Sequence, residues 1–311
     1  MTNERSAMPE TAVRIVETTG ARLHTESAGT GPDLVLISGG GGDAGMYEAV
    51  VPLLADRYRV ITFDRRGNSR SPFTDPHAAI DVATQAADVI AILDAYAIDR
   101  AHIFGNSGGA IIALELLAAH ADRLTDAIVH EAPVVQLLPE TSPARSEIAE
   151  LLKLATEKSP LRAFAAFGVM TMPNVPRVLR SNFGQALMAG GSRISLSIGA
   201  ALRRITRAHP STMTRQLNNA DLLLRRELPA FLFDYRPDLS ALRKVAVPWR
   251  LAAGRDSVGK PYYVATHALA GELGRDCVEF PYGHVPYQLQ PEEFVDRLLE
   301  LFDEMDERTL R

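Results

Sequence analysis

Cysteine is nearly absent: Cys277 is the only one in 311 residues. An intramolecular disulfide is therefore impossible, and no cysteine cluster can hold zinc or an iron–sulfur centre. Zinc signatures built on histidine are also missing. There is no His-Glu-x-x-His and no histidine pair at ligand spacing. Long apolar runs are lacking as well. Residues 1–11 are polar and have no signal-peptide core. The most apolar stretch, 110–119, carries Glu115 and is too short to span a bilayer. Basic charge is not in excess, since 33 Lys and Arg stand against 38 Asp and Glu, a net charge of −5. Nucleic-acid binding needs a dense basic face to displace counterions. The pairs Arg65-Arg66, Arg203-Arg204 and Arg225-Arg226 are scattered and read as solvated faces. The expectation is a cytoplasmic protein that takes a small-molecule substrate. It needs no cofactor and no metal, and it has no nucleic-acid or membrane partner. Oligomeric state leaves no trace in the sequence.

What is present is ordinary globular composition, 46% hydrophobic and 23% charged. A chain of this size buries about three quarters of its unfolded surface, enough for a core without covalent staples. After the polar tail, residues 13–17 and 23–26 flank Thr19-Gly20 and predict an antiparallel hairpin. Residues 34–37 form a short continuous apolar run, the pattern of a buried parallel strand. Strand and helix signals then alternate up to a strand at 124–130. They resume with a strand at 245–253, a helix near 263–273, a strand at 277–280 and a closing helix at 292–306. Such alternation predicts a parallel sheet with helices on both faces. Between these halves only helical periodicity is found. Ile148, Leu151, Leu152 and Ala155 share one helical face, as do Ile194, Ile198, Ala201, Leu202 and Ile205, with breaks such as Pro173 between helices. The expected organisation is a core of 12–134 and 241–311, a helical insertion of 135–240 and a flexible tail of 1–11.

Three segments carry chemistry. Gly105-Asn106-Ser107-Gly108-Gly109 fits G-x-S-x-G between a strand and a helix. The serine of such a turn is lifted above the sheet, and its neighbours must be small to clear the adjoining strand and helix. A serine hydroxyl needs a base. His284, between the last strand and the last helix, can reach the same sheet edge as Ser107. His102 and His130 lie within strands as packed side chains, and the other five histidines lie away from that edge. The base needs an orienting carboxylate. Asp256, after the strand 245–253, is the first candidate because it gives the order Ser, Asp, His. Glu131, at the end of the strand 124–130, is the rival at the same edge. Acyl transfer also builds charge on a carbonyl oxygen, which backbone N–H donors must meet. The loop Ser38-Gly39-Gly40-Gly41-Gly42 and the helix start offer the N–H groups of Gly40 and Gly108.

The same loop supports a competing reading. Gly40, Gly42 and Gly45 fit G-x-G-x-x-G, and Asp64 closes the next strand at the position of a ribose-binding acid. An NAD(P)-dependent Rossmann oxidoreductase would nevertheless open on this unit, not on a hairpin. It would also leave Ser107 and His284 unexplained, and no Tyr-x-x-x-Lys pair occurs.

Taken together, these motifs resemble the α/β-hydrolase superfamily from about Val13 to Asp306, the insertion excepted. The resemblance rests on Ser38–Gly42, Asp64–Ser71, Gly105–Gly109, Gly254-Arg255-Asp256 and Gly283-His284. It implies an eight-stranded, mostly parallel sheet and makes residues near 135–240 a helical cap. Some members carry the triad acid at the strand end corresponding to Glu131. Two departures stand out: Ser38 replaces a frequent histidine, and Ser69 stands where a glycine is usual. The implied activity is a serine hydrolase that cleaves a carboxylic ester, lactone or thioester of a small, largely apolar substrate through an acyl-enzyme on Ser107. Carbon–carbon bond hydrolysis or acyl transfer by the same triad, and non-catalytic ligand binding, are the alternatives. Phe164, Phe167, Met170, Met172, Phe183 and Met188 are candidates for an apolar substrate pocket. Packing of the insertion's own interior accounts for them equally well.

Overall fold

The computed structural model describes residues 10–172, 175–206 and 208–309. Most of the expected tail, and Pro173, lie outside them. Eight strands form one sheet: β1 (Ala12–Thr18), β2 (Ala21–Ala28), β3 (Asp33–Ile37), β4 (Arg59–Phe63), β5 (Ala101–Asn106), β6 (Leu124–His130), β7 (Trp249–Gly254) and β8 (Cys277–Phe280). Their spatial order is β1-β2-β4-β3-β5-β6-β7-β8. The β1–β2 and β2–β4 pairs are antiparallel, and all pairs from β4 to β8 are parallel. The predicted hairpin is therefore the antiparallel edge of an otherwise parallel sheet.

Successive residues of a strand point to opposite faces, and each face has its own core. In β3, Val35 and Ile37 pack on one side, and Leu34 and Leu36 on the other. The first face is covered by α2 (Val82–Ala95), α3 (Gly108–Ala119) and α10 (Pro261–Leu273), the second by α1 (Val51–Leu54) and α12 (Pro291–Thr309). The glycine loop leads into a 3-10 turn, Ala44–Tyr47, followed by the short α1. Pro52 at the start of α1 fits a first-turn position, where its missing N–H costs nothing. Helix α3 is buried on nearly every side, as its uniformly apolar sequence requires. Arg65 and Arg66, expected on a solvated face, are both buried; Arg66 Nε donates to Asp88 of α2 at 2.6 Å.

Between β6 and β7 the described chain is helical. It comprises a 3-10 turn (Val135–Leu137), α4 (Pro143–Glu157), α5 (Pro160–Thr171), α6 (Arg177–Arg180), α7 (Asn182–Thr206), α8 (Thr212–Leu222), two π-helical turns (Leu223–Glu227 and Ala230–Asp234) and α9 (Leu239–Lys244). Helix α9 packs on α3 and α10, so it belongs with the helices of the sheet. The expected α7 face does not behave as a buried one. Ile194 and Ile198 are each 63% exposed, and the side chains of Leu202 and Ile205 lie outside the described residues. Helices α11 (Pro286–Leu289) and α12 close the chain. Among the described residues no helix is long and apolar enough to cross a membrane.

A tight constraint lies where α3 meets β3. A Cβ on Gly109 would sit 2.0 Å from the Ile37 carbonyl oxygen, and one on Gly105 2.3 Å from that of Gly109. Gly109→Ala is expected to lower stability by about 3 kcal/mol in urea unfolding, through overpacking. Gly271→Ala, in the last turn of α10 with no atom within 4 Å, is the control. It should raise stability by about 0.5–1 kcal/mol. Equal midpoints for Gly109→Ala and wild type would contradict this account of the turn.

Candidate active site

Ser107 sits between the last residue of β5 and the first of α3, with φ 56° and ψ −118°. Such a conformation costs a non-glycine residue about 1–3 kcal/mol and must be held by its surroundings. The Ser107 N–H donates to the His130 carbonyl at 2.9 Å, and its own carbonyl accepts from Ala110 and Ile111 at 3.0 and 3.2 Å. Gly39 lies so close that a Cβ there would be 2.7 Å from the Ser107 Cβ. Bare backbone therefore passes directly beside the serine.

His284 follows β8, and its side chain is 3% exposed. A carboxylate only accepts hydrogen bonds, so Nδ1–H donates to Glu131 Oε2, at 2.6 Å. The other Glu131 oxygen accepts the Gly254 N–H at 2.8 Å. With Nδ1 engaged, Nε2 is the ring nitrogen left for chemistry, and Ser107 and His284 line the same cavity. Tyr262 stacks on the imidazole with ring centroids 3.8 Å apart. Burial pushes the Glu131 carboxyl up, but the His284 hydrogen bond and the neighbouring His130 outweigh it and hold the group below the usual carboxylate range.

Asp256, the first candidate for the acid, is elsewhere. Its side chain is 46% exposed and faces Arg255 Nε at 3.6 Å. Strand β7 ends at Gly254, and the chain then turns through a 3-10 segment, Arg255–Ser257, that aims residue 256 outward. Glu131 is turned inward by an unusual backbone, with φ 52° directly after β6. The acid in contact with His284 is thus the rival, one strand nearer to Ser107.

Several supporting residues are not among the expected site residues. Asn106 Nδ2 donates to the His284 carbonyl at 3.2 Å and to the Tyr287 hydroxyl at 2.9 Å. Its Oδ1 therefore accepts from His130 Nδ1–H at 3.0 Å. The glycine loop is clamped from two sides. Arg65 donates to the Gly39 carbonyl at 2.9 Å, and Asn219 of α8 to the Gly41 carbonyl at 2.7 Å. Arg65 is itself held by both oxygens of the buried Glu227, at 2.7 and 2.9 Å. Asn219 also explains Ser69, which has φ 50° where a glycine is usual. Asn219 Oδ1 accepts the Ser69 N–H at 2.9 Å, and its Nδ2 donates to the Ser69 hydroxyl at 2.8 Å. Asp64, the would-be ribose acid, is consumed locally. It accepts from the Ala44 N–H at 2.8 Å and from Arg70 Nε at 2.6 Å.

The cavity above Ser107 measures about 690 Å³ and is bordered by Gly40 as well as by Phe164, Phe167, Met172 and Met188 from the helical segment. A second lobe of about 40 Å³ lies beside Gly40, Gly108, Phe167 and Met170, with Ser107 and His284 again in its wall. Five of the six expected pocket residues are thus at the site. Phe183 is not, because α7 turns it outward, 73% exposed.

Residues 34–297 match the alpha/beta hydrolase family. The chain is 28% identical over 295 residues to YraK, an uncharacterized hydrolase of Bacillus subtilis, covering 93% of this chain and 96% of that one. It is 37% identical over 138 residues to a zearalenone hydrolase of Bionectria ochroleuca, over 43% of this chain and 52% of the relative. Among solved structures, the naproxen esterase of Bacillus subtilis superposes with a TM-score of 0.66 at 18% identity, covering 94% of this chain and 92% of that one. The enol-lactonase of Burkholderia xenovorans LB400 superposes with a TM-score of 0.64 at 18% identity, covering 93% of this chain and 100% of that one. With the eight-stranded sheet, the serine turn and the family match in hand, the chain belongs to the alpha/beta hydrolase family. On that membership it is a hydrolase.

Two measurements probe this arrangement. Glu131→Gln should lower the hydrolytic rate constant by about ten-thousand-fold, the loss typical when an orienting carboxylate becomes an amide. Asp256→Asn should stay within about threefold of wild type, as an exposed charge does. The reverse ranking would return the acid's role to Asp256. The second concerns pH. Burial pulls His130 down from 6.5 to about 4. The unfolded chain therefore takes up this proton between pH 6.5 and 4 while the folded chain does not, so stability falls as pH falls through that window. The loss should reach about 3 kcal/mol. His130→Asn, with an amide to face Asn106, should flatten the slope of unfolding free energy over that range, and an unchanged slope would count against it.

Proposed function

We propose that the chain is a serine hydrolase of an ester-type bond, with Ser107 as nucleophile, His284 as base and Glu131 as the orienting acid. The observation that carries this reading is the buried Glu131–His284 bond of 2.6 Å beside a serine in a strained turn. His284 Nε2 takes the Ser107 proton as Oγ attacks the carbonyl carbon. The N–H groups of Gly40 and Gly108 receive the oxyanion, and losing one such donor costs about 3 kcal/mol of transition-state stabilisation. Collapse breaks the bond to the leaving oxygen or sulfur, which takes the proton from His284, and an acyl-serine remains. Water, deprotonated by His284, then attacks the acyl carbon and releases the acid and free Ser107.

Residues 135–240 act as a cap that sets specificity. Phe164, Phe167, Met172 and Met188 give the cavity an apolar wall, which supports a small, largely apolar ester, lactone or thioester. No group at the site calls for a cofactor in this scheme.

A fluorophosphonate probe tests the nucleophile. Wild type should be labelled on Ser107, and Ser107→Ala should not. A folded wild-type protein that resists labelling and hydrolyses nothing in an ester, lactone and thioester panel would overturn the proposal.

A further inference from the structure

The helical segment carries a charge pattern unlike the rest of the chain. From residue 158 to residue 220 there are nine lysines and arginines and not one Asp or Glu. The flanking acids are Glu157 and Asp221. In a chain of net charge −5 the remainder is correspondingly acidic, so the charge is polarised between the two parts of the fold. Arg215 is satisfied by Asp43. Arg177, Arg180 and Arg193 instead stand exposed around α6 and α7.

The same region displays apolar side chains to solvent. Phe183, Leu187, Ile194 and Ile198 are 73%, 65%, 63% and 63% exposed, and at about 100° per residue they fall in one narrow stripe of α7. Val178 of α6, 60% exposed, adds to it. The other side of α7 faces inward, where Met188, Ser192 and Ser195 line the cavity. Helix α7 thus roofs the cavity with one face and presents an apolar stripe, flanked by arginine, with the other.

We propose that this face docks on an anionic lipid surface, with α7 lying in the headgroup plane and its Phe183–Ile198 stripe at the acyl boundary. An apolar stripe beside exposed arginines is the pattern of an interfacial helix. Anionic lipid supplies the complementary charge. A two-fold pairing of two copies through this face would set the same positive surface against itself. The docking is peripheral, with α7 along the surface and not through it. The expectation of no membrane partner came from whole-chain charge and hydropathy, which average this segment away. The proposal goes beyond the hydrolytic reading and does not depend on it.

Co-sedimentation of the full chain with vesicles provides the test. Vesicles of phosphatidylcholine alone are compared with vesicles in which roughly one third of the lipid is phosphatidylglycerol. Wild type should bind the anionic vesicles at least about tenfold more tightly, and added salt should weaken that binding. Ile194→Ser/Ile198→Ser and Arg177→Gln/Arg180→Gln/Arg193→Gln should each lose about tenfold or more in vesicle affinity. Both should keep wild-type circular dichroism and melting, since all five positions are at the surface. Absence of wild-type binding, equal binding to both vesicles, or variants that bind as wild type would overturn the proposal. So would a dimer in sedimentation velocity that Ile194→Ser/Ile198→Ser dissociates, which would make the face a contact between copies. Binding is read without turnover, so an inactive Ser107 would leave this result standing.

Discussion

A carboxylate with no exposure to water can stay ionised only if donors replace its hydration. Glu131 meets that condition with two bonds, to the Gly254 N–H and to His284 Nδ1–H. One side chain at the end of β6 thereby ties together the end of β7 and the loop that follows β8. The same bond fixes which histidine nitrogen carries the proton and which is left for chemistry. The stack of Tyr262 on the ring and the grip of Asn106 on the His284 carbonyl restrict the remaining freedom. Asn106 is the residue before Ser107, so Ser107 and His284, the proposed nucleophile and base, are registered through a single amide.

A second buried ion pair does for the glycine loop what Glu131 does for the histidine. Arg65 reaches from the segment after β4 to the Gly39 carbonyl, and Glu227 of the helical insertion neutralises it on both oxygens. Asn219 of the insertion holds Gly41 from the other side. The loop beside Ser107 is therefore shaped jointly by the sheet and by the helices above it. Removing one partner of such a pair leaves an uncompensated buried charge, so the two parts of the fold are coupled at the loop.

Strand and helix alternation made most of the sheet legible, because a parallel strand buried on both faces reads as a short apolar run. Gly105, Ser107 and Gly109 were equally legible, since the turn excludes larger side chains at fixed spacing. The acid was not. Glu131 and Asp256 both stand at the C-terminal ends of neighbouring strands, and only the backbone after each strand decides which one points inward. The positive φ of Glu131 and the 3-10 turn around Asp256 leave no mark in residue type. Phe183 was misplaced for a related reason: apolar residues on α7 face both the cavity and the solvent. Arg65 and Glu227 lie 162 positions apart, a separation over which no local pattern extends.

Which carboxylate holds His284 decides the catalytic assignment, and a proton spectrum of histidine-labelled protein addresses this directly. A strongly bonded Nδ1–H gives a far-downfield resonance. It should persist in Asp256→Asn and disappear or move upfield in Glu131→Gln. Loss of the resonance in Asp256→Asn, with Glu131→Gln unaffected, would contradict the central claim.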